Sequence, residues 1–305
     1  MLDILDILWR MMPATLMMTV PLLIAAAGGL VCERAGVVNI ALEGLMVTGA
    51  MAAATTHVFL ENVFPSLSIP LAFLAAAVFG SLFSLIHAFA AVTLKADQII
   101  SGTGINLLSL GIAVFFCQLL FQSDRTESFQ NRVSIGFGGV HPTTWLALGI
   151  LIVLAFALYK LPWGLRLRAA GEHPQALASA GVNVVKIRYI AVLISGALAG
   201  IAGACVVLTI DIHFSVATIN GRGFIALAAL SFGRWKPLGI LGSSLLFGFS
   251  TALAVNIVNF ERLRVLPSEF FSMMPFLITL LTLVIFSGKD YAPKAVGQPY
   301  DKGKN

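Results

Sequence analysis

Glu33-Arg34-Ala35-Gly36-Val37-Val38-Asn39-Ile40-Ala41-Leu42-Glu43-Gly44 decides how this chain is read. The run sets two carboxylates, a guanidinium and a carboxamide between apolar segments. Ionisable groups at membrane depth are costly, so they face a pathway or a partner rather than lipid. A polar run in that position implies a route through a membrane protein, not a simple anchor.

The sequence on either side of the run is apolar. Residues 11–32, 44–60, 62–94, 98–123, 133–159, 189–210, 237–260 and 270–288 contain no Asp, Glu, Lys or Arg. A spanning helix needs roughly 20 mostly apolar residues, so most of these segments can each hold one. In 62–94 the prolines at 65 and 70 place the helix start near Ile69 and its end near Val92. Charged residues are 11% of the chain and mean hydropathy is +0.94, against about 25% charged in soluble domains. The expected fold is therefore an all-α polytopic membrane protein of eight to ten transmembrane helices. Residues 1–288 form one membrane domain and 289–305 a tail. The N-terminus lacks the basic start of a signal peptide, since Asp3 and Asp6 stand there, so the first helix is expected to be retained.

Charge fixes the expected sides. The segment 160–188 holds Lys160, Arg166, Arg168, Lys186 and Arg188 against Glu172 alone, which places it in the cytoplasm. The tail adds Lys289, Lys294, Lys302 and Lys304 against Asp290 and Asp301, so it belongs on the same side. An even number of crossings must separate them, and 189–210, 223–233, 237–260 and 270–288 supply four. The net charge of +5 reflects this cytoplasmic excess, not nucleic-acid binding.

Residues 223–233 are too short to cross alone, at roughly 16 Å as a helix. They read as a half-helix after a re-entrant loop at Asn220-Gly221-Arg222-Gly223. Gly36-Val-Val-Asn-Ile-Ala-Leu42 lines up with Gly221-Arg-Gly-Phe-Ile-Ala-Leu227. Paired broken segments in two halves mark the pathway in many transporters, so two structural repeats are expected.

Several chemistries are missing. There is no P-loop, HExxH or GxSxG, so no enzyme is expected. Cys32, Cys117 and Cys205 are scattered and form no metal site. No cofactor is expected on this chain, and an energised transporter built from it must borrow its ATPase, where ATP and Mg would sit. Within the cytoplasmic segment, Pro174 suits a first helical position and Gly181 a C-terminal cap. The small residues between them predict a short helix over 174–180, suited to docking in a groove of another protein.

The runs Glu33–Gly44, Asp97–Asn106 (Asp-Gln-Ile-Ile-Ser-Gly-Thr-Gly-Ile-Asn), Leu165–Asn183 and Asn220–Pro237 together resemble permease subunits of ABC importers. The similarity spans roughly residues 15 to 287. It lies in the branched-chain amino acid and ribose permease superfamily, closest to general nucleoside importer permeases. The resemblance implies half of a translocation pore in the bacterial inner membrane. It also implies a cytoplasmic ABC ATPase, a second, paralogous permease and an extracytoplasmic substrate-binding lipoprotein. Membrane lipid surrounds the assembly, and no nucleic acid takes part. The cargo would be a nucleoside. A sugar or branched-chain amino acid permease, or an ion-driven secondary transporter, is the alternative.

In that family the helix between central spans couples to the ATPase. Here it is the Pro174 helix with Ala178, framed by Gly171, Glu172 and Gly181. Pathway candidates are Asn39, Glu43, Gln98, Asn106 and Asn220. Asn39 and Glu43 share one face if their segment is helical, and they either line the path or hydrogen-bond the bundle together. His87 reads as an interhelical hydrogen-bonding residue. The small-residue face over Gly196–Gly203 reads as close helix packing, available to a second permease.

Overall fold

The computed structural model describes the backbone of residues 2–134, 136, 140–256 and 291–301, with single positions between 273 and 284, and side chains from Met11. Among these residues every regular element is helical. In chain order they are α1 (Leu2–Arg34), α2 (Leu42–Leu60), α3 (Pro65–Ala88), α4 (Gln98–Phe121), α5 (Pro142–Lys160), α6 (Pro162–Glu172), α7 (Pro174–Ser179), α8 (Val184–Cys205), α9 (Arg222–Phe232) and α10 (Pro237–Asn256). Six helices are long and apolar enough to cross a membrane among the described residues. The expected last crossing, 270–288, lies outside them.

Proline sets several helix starts. Pro65 and Pro142 each sit in the first turn, where the missing N–H costs nothing. So α3 begins at Pro65, ahead of the expected Ile69, and α5 begins only at Pro142. α3 and α8 each end in a π turn, Phe89–Thr93 and Val206–Ile210. Residues 126–133 between α4 and α5 run along 208–214, joined by Thr126 N to Phe214 O, Phe129 N to Ile212 O and Val133 N to Leu208 O at 2.8–3.2 Å.

The centre of the bundle is α1, α2 and α8, whose facing residues are buried. In lipid, hydrophobicity does not drive helix association, so close approach of small residues does. A Cβ on Gly200 would collide with the Ala76 carbonyl, and one on Gly203 with the Met46 carbonyl. Gly196 meets Gly80 and Ser84 in the same way. The Gly196–Gly203 face is thus spent on α2 and α3 of this chain, which corrects the expectation that a second permease could use it. Leu74, Phe79, Leu82, Leu107, Ile152 and Val153 on α3, α4 and α5 point outward.

Candidate translocation and coupling site

Residues 35–41 break the helical path between α1 and α2. Gly36 turns the chain with φ +90°, a conformation that favours glycine. Buried polar groups need partners, and three helices, α3, α4 and α8, supply them. Val38 N donates to Gln98 Oε1 at 2.7 Å, and His87 Nε2 lies 2.9 Å from Val38 O. Asn39 Nδ2 donates to Ser195 Oγ at 2.8 Å. Asn106 Nδ2 donates to Ile40 O at 3.0 Å, while its Oδ1 accepts from Gly44 N at 2.8 Å. Asn106 therefore caps the N-terminus of α2. Ser195 lies near the middle of the Val184–Ile210 span, so the break is deep in the bundle.

The second break precedes α9. Asn220 and Gly221 take φ of 47° and 81°, and α9 starts at once with Arg222. Glu43 caps it from the first turn of α2. Its Oε1 accepts from Gly221 N and its Oε2 from Gly223 N, both at 2.7 Å. A Cβ on Gly223 would stand 2.5 Å from Glu43 Cα, so only glycine lets the helix ends meet. The two broken helices thus abut at their positive ends, with one carboxylate between them.

This geometry corrects two expectations. Asn39 lies in the break, not in a helix, so it shares no helical face with Glu43. The Ile-Ala-Leu triplets also differ in place: Leu42 opens α2, whereas Leu227 is inside α9. What the two segments have in common is the left-handed glycine, Gly36 and Gly221.

Above the α9 break a polar cavity of about 400 Å³ is lined by Asp211, His213, Ser215, Asn220 and Arg222, among others. Arg222 Nη1 donates to Thr218 O at 2.6 Å. Burial pushes the Asp211 carboxyl up, and Arg222, Thr218 and His213 pull it back. Asn220 is exposed, while Asn39, Gln98 and Asn106 are buried.

At the opposite end, α1 meets the segment before α7. Arg34 donates through Nε and Nη2 to Trp235 O at 3.1 and 2.7 Å. Trp235 Nε1 donates to Glu33 Oε2 at 2.6 Å. Arg34 Nη1 stands 3.9 Å from Glu172 Oε1. A Cβ on Gly171 would collide with the Arg34 carbonyl, so α6 can cross α1 this closely only with glycine there. α7 covers Pro174–Ser179, with Ala180 as its cap and Gly181 left-handed at φ +79°. Leu177 anchors it in the core, Ala178 is half-buried, and Gln175, Ala176 and Ser179 face out.

Ser195, Trp235 and Arg188 escaped the sequence reading. Ser195 stands among apolar neighbours, and Trp235 looks like an interface residue. Arg188, 1% exposed, had counted only as a cytoplasmic charge.

Residues 11–283 match the family described as branched-chain amino acid transport system / permease component. The chain is 41% identical to the guanosine ABC transporter permease protein NupQ of Bacillus subtilis (strain 168), over 99% of this chain and 100% of that protein. It is 39% identical to the nucleoside ABC transporter permease protein NupC of Lactococcus lactis subsp. cremoris (strain MG1363), over 95% and 96%. A second Bacillus subtilis protein, the guanosine ABC transporter permease protein NupP, is 26% identical over 89% of this chain and 79% of its own length. The chain belongs to this permease family. It is a multi-pass membrane protein and a transport component rather than an enzyme.

Proposed function

We propose that this chain forms half of the translocation pathway of an ABC importer for nucleosides, with purine nucleosides as cargo. The observation that carries this reading is 41% identity, from end to end, to a permease named for guanosine. A second permease, named for nucleosides, supports it at 39% identity over 95% of the chain. A permease named for glucose is 34% identical over 80% of the chain.

The two breaks border the path. Asn220 faces the polar cavity, and Glu43, Asn39, Gln98 and Asn106 hold the broken ends behind it. Asn39 Oδ1 and Gln98 Nε2 find no partner among the described residues, which suits groups beside a polar route. The matching breaks before α2 and α9 support a two-repeat plan of eight to ten helices, counting the broken segments. ATP and Mg would be held by a separate ATPase, which docks on α7 between Gly171-Glu172 and Gly181. A binding lipoprotein delivers the solute from outside.

Ala176 lies on the exposed face of α7, so Ala176→Asp adds a carboxylate there without touching the core. In the reconstituted importer this variant is expected to keep basal ATP hydrolysis and lose uptake by at least ten-fold. Wild-type uptake at equal expression would count against α7 as the coupling helix.

A further inference from the structure

We propose that residues 291–301 form a second wall of the ATPase-docking surface, and that the cavity they enclose with α7 receives an apolar side chain of the ATPase. The proposal rests on the reading of α7 as the coupling helix.

Eleven residues near a chain end, with Pro293, Gly297 and Pro299 among them, would ordinarily fray. This segment is instead held at Tyr291, Ala295, Gln298, Tyr300 and Asp301. The Arg234 guanidinium stands 4.6 Å over the Tyr291 ring. Ala295 N donates to Gly171 O at 2.8 Å. Gln298 O accepts from Arg188 Nη1 at 2.9 Å, which gives that buried guanidinium a partner. Tyr300 is 8% exposed and belongs to the main core. Asp301 pairs with Lys95 at 3.0 Å, and its carbonyl accepts from Gln175 Nε2 of α7 at 2.9 Å. The segment therefore touches the α9–α10 turn, α6, α8, α7 and the loop before α4 in one pass.

Its last two residues close one side of a cavity of about 690 Å³. Ala178, Gly181 and Val182 close the side next to α7, Val92, Val184 and Val185 contribute apolar surface, and Thr93, Lys95 and Asn183 are the other polar residues of the lining. The larger part of this lining is apolar, with the Lys95–Asp301 pair at one side, and such a hole beside a docking helix suits a protruding aliphatic or aromatic side chain that keeps clear of the pair. The partner's chemistry follows from charge. Lys160, Arg166, Arg168 and Lys186 on one stretch outnumber Glu172, and Lys294 adds to them from the other, so the matching face of the ATPase is acidic around its apolar anchor.

The test uses the full importer in lipid nanodiscs. Val182→Trp fills the cavity and leaves the exposed face of α7 intact. It is expected to weaken ATPase binding by at least ten-fold while the permease is recovered at wild-type levels. Ala176→Asp serves as the reference for α7 itself. If Ala176→Asp weakens binding and Val182→Trp does not, the cavity proposal fails and the coupling helix stands. If neither weakens it, both fail. A second readout covers a filling variant that does not fold. Val185 lines the cavity and is 38% exposed. A cysteine there is expected to react with a maleimide in the paired permeases and to be protected once the ATPase binds. Equal labelling with and without the ATPase, or protection by the second permease alone, would overturn the proposal.

Discussion

At the residue scale, Glu43 is the joint of the molecule. It satisfies two backbone N–H groups at the start of α9 from a position in α2. Glu43→Gln keeps one acceptor and turns an amide donor toward the other N–H. The expected cost is about 1–3 kcal/mol for the orphaned group, seen as a lower unfolding temperature in detergent, with reduced uptake. An unchanged melting curve would contradict the brace. The sequence made Glu43, Asn39 and Asn106 conspicuous, because polar groups in apolar runs must be satisfied. It could not name their partners. Gly221 lies 178 residues from Glu43, and Ser195 lies 156 from Asn39. Contacts at that separation depend on the packing of whole helices.

At the element scale, glycines set how closely helices approach. Gly200 is pressed against Ala76 and Gly80 of α3. Gly200→Val must separate α3 from α8, at a cost of about 1–3 kcal/mol, and should lower the yield of folded permease. Gly104 of α4 is the contrast, with nothing within 4 Å of a Cβ. Gly104→Ala should be neutral or stabilise by up to about 1 kcal/mol. Equal stability for both variants, read by fluorescence-detected size exclusion, would remove glycine packing as the organising contact. Elements with local signals were legible: Pro174 and Gly181 bracket α7, and Gly221 marks the break before α9. The π turns at Phe89–Thr93 and Val206–Ile210 left no local signal. Nor did the seating of 291–301, which depends on surfaces from five other elements.

At the scale of the whole molecule, the bundle has two ends. α6, α7 and residues 291–301 pack together at one, and the loop 122–134 with 211–220 lies at the other. Cysteines at Ser179 and Lys294 should both resist an impermeant thiol reagent in intact cells, while one at Glu127 should react. Labelling of only one of Ser179 and Lys294 would break the shared-side argument. If the chain supplies half a pore, as proposed, a second permease must supply the rest, and Bacillus subtilis has two proteins named as guanosine permeases that are similar to this chain, at 41% and 26% identity. The second is matched over a smaller share of its own length than of this chain, as a longer paralogue would be. A heterodimer with such a paralogue is the expected pair. Full uptake from this chain, the ATPase and the binding protein alone would show a homodimer instead.

The most direct measurement is guanosine uptake by proteoliposomes that contain this chain, its partner permease and the ATPase, with binding protein outside. The account predicts accumulation against a gradient only when ATP reaches the ATPase. Excess unlabelled purine nucleoside should compete it away, and neither glucose nor leucine should. Uptake that persists without ATP and collapses with a proton uncoupler would contradict the account.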